Sequence, residues 1–216
     1  MDKIGAAAQQ HSSGCALIRT GCDFDAVVVN RSKLYQEMAA TRIDLALVTI
    51  RNDRFDKIAK FFPIAPSTRE VAAHRTTLKT HANVRSFIKD TKIKFIILPG
   101  ASYFFTKDES EKLEKERRFI TTTSLQEAYG LLARTTNTAV MQNDFVNEYF
   151  FKTKKMKDFA RVVDKGAPFY VGAYYIPRKG AEKAADLIQK NLASIGTDGT
   201  WQKILKRYTD PSDSLK

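Results

Sequence analysis

The chain has 216 residues and a formal net charge of +12, with 43% hydrophobic and 11% aromatic residues. This apolar content is ample for a packed core and excludes wholesale disorder, and no stretch approaches the roughly 18 consecutive apolar residues of a membrane span. The positive charge is spread along the chain apart from "KTKKMK" at 152–157. No zinc-finger spacing, basic-zipper heptad or aromatic RNA-binding signature accompanies it, so that run reads as a solvated surface and no nucleic-acid partner is expected.

The opening stretch "MDKIGAAAQQHSSGCALIRT" lacks the basic start and continuous apolar run of a secretory signal. Residues 2–12 read as a helix, and Cys15 and Cys22, with no second pair, as free thiols unless the folded geometry brings the two together as a disulfide. "DAVVV" at 25–29 reads as a strand; Ser32 can then cap a helix whose buried stripe is Leu34, Tyr35 and Met38. "IDLALVTI" at 43–50 is a near-continuous apolar run, as expected of a strand covered on both faces in a parallel sheet. "STREVAAHRTTL" at 67–78 is expected to run extended, "VRSFIKD" at 84–90 to form a short helix, and "KFIIL" at 94–98 a strand that turns at Pro99 and Gly100.

"DESEKLEKERR" at 108–118 reads as a charged surface helix. In "TSLQEAYGLLAR" at 123–134, Ser124 and Glu127 stand at capping-box spacing, and Leu125, Ala128, Leu131 and Leu132 form the buried side. "TAVMQN" at 138–143 reads as a buried strand, "DFVNEYFFK" at 144–152 as the start of a helix, and "FYVGAYYI" at 169–176 as a long strand. Two helices close the chain, at 180–195 and 199–208. The first buries Ala184, Leu187, Ile188, Leu192 and Ile195. In the second, Trp201, Ile204, Leu205 and Tyr208 fall on one face while Lys203, Lys206 and Arg207 face away. Thr197 and Asp198 can cap this last helix, and Gly199 permits the turn before it.

The alternation of helices and strands argues for α/β layering. A first α/β set ends near residue 70, a second fills the middle, and the final strand and helices have an apolar face that can return to the first. His11, His74 and His81 show no metal-ligand spacing, and neither a nucleophile elbow nor a phosphate loop appears. No metal, cofactor or enzymatic activity is expected.

Four segments carry a resemblance: "RIDLALVTIRNDRFDKIAKFFP" at 42–63, "IKFIILPGASYFF" at 93–105, "SLQEAYGLLARTTNTAVMQNDFVNEYFF" at 124–151 and "YYIPRKGAEKAADLIQKNLASIGTDGTWQKILKRY" at 174–208. Together, and in this order, they resemble the extracellular solute-binding proteins of bacterial ABC transporters, in the branch that takes polar amino acids and similar solutes. The last segment is the most specific, with a strand, an Arg-Lys-Gly turn, a helix, Asp-Gly-Thr and a final helix. The resemblance implies a type II periplasmic-binding-protein fold, α/β with two lobes, each a mostly parallel sheet flanked by helices. It places lobe 1 at 1–70 and 174–216 and lobe 2 at 73–171, with crossings near 70–73 and 171–174. It further implies a monomer that closes on a small-molecule solute and delivers it to an ABC permease in the inner membrane, in a periplasmic or extracellular location.

A carboxylate is best gripped by a planar guanidinium with hydroxyl and backbone donors beside it. Arg54 follows the buried strand, at the carboxyl edge where α/β ligand sites gather. The resemblance assigns it the carboxylate and assigns Thr49 a hydroxyl beside it; the bland alternative pairs Arg54 with Asp53 or Asp56. Gly100, Ala101 and Ser102 match the second-lobe loop, with Ala101 and Ser102 as ligand contacts. Arg31 matches a pocket-wall position. Asn143 stands where the family carries an aspartate for the ligand's ammonium, with Asp144 next. Thr138 also replaces a usual aspartate. These departures put an α-amino-acid ligand in doubt, and Arg31 with Arg54 would favour an anionic ligand over a basic one. Relatives also begin with a strand that is not recognised here, so the first lobe reads as truncated. A diverged sensor or partner-binding module with a degraded pocket is the alternative.

Overall fold

The computed structural model describes residues 25, 27, 29, 31–99, 105–166 and 168–209. In chain order the first elements are α1 (Arg31–Ala39), β1 (Leu45–Ile50), α2 (Asp53–Asp56), β2 (Lys60–Ser67), β3 (Arg69–His74), α3 (Arg75–Leu78), α4 (Val84–Lys89), β4 (Lys94–Ile97) and α5 (Lys107–Lys115). They are followed by β5 (Phe119–Thr121), α6 (Leu125–Leu132), β6 (Thr138–Asn143), α7 (Asp144–Thr153), β7 (Phe159–Val163), β8 (Phe169–Tyr175), α8 (Glu182–Thr197) and α9 (Thr200–Thr209). The chain divides into one unit of Met1–Pro66 with Phe169–Lys216 and a second of Ser67–Pro168. The expected helix at 2–12 and both cysteines lie outside the described residues, as does most of the expected strand at 25–29.

In the first unit the described strands form a sheet of order β1-β8-β2, with β1 and β8 antiparallel. Met38, Ala46, Ala59, Tyr174 and Ile176 make its buried cluster, with Leu34, Phe55, Ile58 and Phe61 against it. The "FFP" at 61–63, which closes the first of the four resembling segments, lies inside β2. Pro63 and Pro66 lie on β2, the last strand of the described sheet, and edge strands are where sheets admit proline. Helix α8 buries Ile188, Leu192 and Ile195, while Leu187 is exposed. Helix α9 packs on α8 and buries Trp201 and Ile204. Before it, Asp198 accepts from Thr200 N at 2.9 Å, and Gly199 holds φ at 81°, a backbone conformation open to glycine.

The second unit is a five-stranded sheet of order β5-β4-β6-β3-β7. Strand β4 runs parallel to β5 and β6, but β3 runs antiparallel to β6 and β7. The sheets are therefore mixed in this unit and antiparallel at β1–β8, not mostly parallel. Residues 70–73 of β3 are all buried although the strand is antiparallel, so a continuous buried run did not report strand direction. Segment 67–78 is extended only to His74, after which α3 begins with the His74 side chain accepting from Thr76 N. Val71, Ala73, Phe87, Ile93, Phe95, Leu113, Ala139 and Met141 form the core. Arg118 is buried beside it. It donates to the carbonyls of Ile93 (2.8 Å), Ile88 (2.7 Å) and Phe87 (2.9 Å), and pairs with Glu116 at 3.1 Å.

Ser124 caps α6 by accepting from Glu127 N, but Glu127 turns to the N–H and hydroxyl of Thr123, both at 2.8 Å. The return arm of the expected capping box is thus made one residue early. On α6, Ala128 and Leu132 are buried as expected, and so is Tyr129, while Leu125 and Leu131 are half-buried.

Candidate functional site

In the first unit, the segment after β1 is fastened tightly. Asn52 caps α2 by accepting from Phe55 N at 3.1 Å. The Tyr174 hydroxyl accepts from Asn52 N at 2.8 Å and lies 2.8 Å from Asp56 Oδ1, to which it donates. Burial, foremost, raises the Tyr174 pKa far above the usual phenol range, so the hydroxyl stays a donor at all ordinary pH. Arg51 pairs with the other oxygen of Asp56 at 2.9 Å. The acids near Arg54 are therefore not its partners. Its guanidinium Cζ instead lies 3.8 Å from the centroid of the Tyr35 ring, and Arg54 is solvent-exposed. Among the described residues no acceptor engages its N–H groups. The surface pairing with Asp53 or Asp56, weighed as the alternative for Arg54, is not made.

Tyr35 is held in turn. It meets Phe55 edge-on at 5.5 Å, and Phe55 stacks on Tyr174 at 5.1 Å. Phe61 contacts the same Tyr174 ring at 5.0 Å. A row of aromatic rings thus runs from the buried cluster out to Arg54. Thr49 lies in the same unit but is buried, and its hydroxyl donates across to the Gly172 carbonyl at 3.4 Å, where the β1–β8 register shifts. The Thr49 hydroxyl is thus directed at the neighbouring strand, and no bond joins it to Arg54. The side chain of Arg31 lies outside the described residues.

In the second unit, Asn143 ends β6 opposite Arg69 and caps α7, its Oδ1 accepting from Val146 N at 3.0 Å. A backbone N–H can only donate, so this contact fixes the amide orientation and leaves the NH2 group as the free end. Asp144 Oδ1 accepts from the Ser67 hydroxyl at 2.6 Å, and Asp144 N donates to Thr68 O at 3.1 Å. Ala101 and Ser102, with Gly100, lie outside the described residues.

The sequence reading missed a buried polar chain behind these two residues. The Tyr129 hydroxyl donates to Asn147 Oδ1, and Asn147 Nδ2 donates to Glu70 at 3.1 Å. Arg161 joins Glu70 at 3.4 Å and Glu148 at 2.9 Å. Burial, opposed by Arg161, pushes the Glu70 carboxyl above its ordinary pKa, while a hydrogen bond from Lys152 lowers that of Glu148. These partners stand 77 to 91 positions apart in the Glu70 contacts, which no local pattern reveals. Elsewhere in the unit, His81 spans the Thr77 carbonyl (2.7 Å) and Asp90 (3.0 Å), and no group of three metal-ligating side chains occurs among the described residues.

Comparison with family models found no match, and no curated protein matches. Solved structures do match. An amino-acid ABC transporter substrate-binding protein, AbpA of Streptococcus pneumoniae, solved with L-arginine, is similar over 97% of this chain and 85% of its own, with a TM-score of 0.74 at 12% identity. The GluR0 ligand-binding core of Nostoc punctiforme, solved with L-glutamate, is similar over 94% of this chain and 91% of its own, with a TM-score of 0.72 at 12% identity. The ancestral amino-acid-binding protein AncCDT-1, a precursor of cyclohexadienyl dehydratase, is similar over 94% of this chain and 85% of its own, with a TM-score of 0.70 at 13% identity. At these identities the likeness is one of fold, and it agrees with the motifs at 42–63 and 174–208: this chain has the type II periplasmic-binding-protein fold.

Proposed function

We propose that this chain is a solute-binding protein that takes a small polar solute, anionic or amino-acid-like, by its carboxylate, for uptake through an ABC permease. The observation that carries the reading is Arg54: a guanidinium held on Tyr35 at 3.8 Å, with the nearby Asp56 taken by Arg51 and Tyr174. A guanidinium resting on an aromatic face, its N–H groups engaged by no acid among the described residues, is the donor set a carboxylate needs. The fold supports the same reading, since similar structures were solved with L-arginine and L-glutamate bound. Thr49, Arg31, Asn143, Asp144, Ala101 and Ser102 are the further ligand contacts of the proposal, which takes the protein to act as a monomer in the periplasm or outside the cell.

The test is a thermal-shift screen against L-amino acids, dicarboxylates, polyamines and small organic anions. Ligand at ~100 times its dissociation constant stabilises by about 2.7 kcal/mol. Arg54→Ala should then weaken the hit about 10- to 150-fold, the worth of a hydrogen-bonded charge pair. A hit that Arg54→Ala leaves unchanged refutes the assignment of the carboxylate. A folded protein with no hit favours the second reading, a sensor or partner-binding module. That reading is supported by Asn143, whose single oxygen is taken by the helix cap.

A further inference from the structure

We infer that Tyr35 is a positioning residue for carboxylate capture, a shelf that fixes Arg54 before any ligand arrives; the inference rests on the carboxylate-binding reading above. Arg54 sits on α2, a helix of four residues, and it is exposed. A long, solvated arginine loses rotamer freedom on being fixed, and an unfixed one meets that loss only at binding. Here part of the loss is met beforehand. The guanidinium lies 3.8 Å from the Tyr35 centroid, within the range of a favourable cation–π contact. Such a contact occupies the face of the guanidinium and leaves its N–H edge for a carboxylate.

The shelf itself is not free to turn. Tyr35 is half-buried on α1 and is held edge-on by Phe55 at an interplanar angle of 82°. Phe55 stacks at 27° on Tyr174, whose hydroxyl is locked by Asn52 and Asp56. Tyr174 is completely buried. The ring that carries Arg54 is thus tied, through two aromatic contacts, to a completely buried ring of the unit. In helix α1 Tyr35 does more than fill the apolar stripe that its spacing suggests, because Met38 is fully buried while Tyr35 keeps a ring face for Arg54.

The test compares Tyr35→Phe, which keeps the ring face, with Tyr35→Leu, which keeps bulk and removes the π-system. Each is titrated calorimetrically with L-glutamate, L-arginine and succinate after its fold is checked by circular dichroism. Tyr35→Phe should bind within about 1.5-fold of the parent, and Tyr35→Leu about 2- to 5-fold more weakly, the worth of an exposed cation–π contact. In an Arg54→Ala background the Leu substitution should change affinity no further, which a purely packing role would not produce. Independently of ligand, the Arg54 side-chain protons should show an upfield ring-current shift in the parent and in Tyr35→Phe, lost in Tyr35→Leu. Binding that survives Tyr35→Leu unchanged overturns this inference and leaves the solute reading standing. Absence of the ring-current shift in the parent overturns it as well, even where the Leu variant fails to fold. No binding of any of the three probes overturns the solute reading and this inference together.

Discussion

Arg118 is the most exacting stability test in the molecule. Its side chain is 2% exposed and donates to the carbonyls of Phe87, Ile88 and Ile93, with Glu116 as its acidic partner among the described residues. Two of these acceptors close the end of α4 and the third leads into β4, so one guanidinium ties three backbone positions. Arg118→Met preserves much of the volume but leaves three carbonyls inside without donors. A buried group stripped of its partner costs about 1–3 kcal/mol. With partial relaxation around the Met side chain, the summed loss is about 3–5 kcal/mol, in line with breaking other buried charge pairs. At about 2–4 °C per kcal/mol for a chain of this size, the melting temperature should fall by about 6–20 °C. Urea unfolding followed by far-ultraviolet circular dichroism measures the loss and a thermal scan the shift, both by dichroism because the sole tryptophan, Trp201, belongs to the other unit. Arg118→Lys should recover less than half, since one ammonium cannot serve three separated carbonyls as a fork does. A loss below about 1 kcal/mol for the Met variant would refute the view that these bonds hold α4 to β4.

Two further predictions rest on packing and charge. A Cβ on Gly196 would lie 1.8 Å from the Ile64 carbonyl, whereas one on Gly130 would meet nothing within 4 Å. Ala is the better helix former by about 1 kcal/mol, so Gly130→Ala should stabilise, while Gly196→Ala should destabilise by about 1–3 kcal/mol as α8 is driven off β2; thermal unfolding that ranks the two the other way would contradict the close approach of helix to strand. Glu70 is held above its ordinary pKa by burial, so the folded state binds its proton more tightly than the unfolded state does. Stability attributable to Glu70 should therefore fall as pH rises from the usual carboxylate range through its raised value, and Glu70→Gln should flatten that part of the stability–pH curve; an unchanged slope counts against it.

Much of the second unit could be read from residues alone. The apolar runs that became β4 and β6, the cap at Ser124 and the helix at α4 all follow local rules. What escaped has specific causes. Strand β2 hid behind Pro63 and Pro66, which a sequence reader takes for a turn and which only a peripheral strand tolerates. Strands β5 and β7 are short, three and five residues, and mostly half-buried, so no alternation stands out. At the candidate site, Arg54 was visible through the motif around it. Its companion Tyr35 was not, because Leu34, Tyr35 and Met38 share one helical stripe and only the packing of Phe55 separates a filler from a shelf. Asn143 carried a readable signal, an Asn between an apolar strand and a helix, three residues before the Val146 amide that it caps.

The division of the chain also sets an order for its making. All five strands of the second unit's sheet come from one continuous stretch, residues 69–163, so that unit has every strand available once that stretch has left the ribosome. The other unit does not. Its described sheet is β1-β8-β2, and the strand between the two early ones, β8, begins at Phe169. Until then β1 and β2 have no common neighbour among the described strands, and two strands rich in apolar residues wait with open edges, a state prone to mispairing. The Thr49–Gly172 pair spans 123 positions, and joining such distant residues is slow. The nascent chain would therefore complete its middle first and its beginning last.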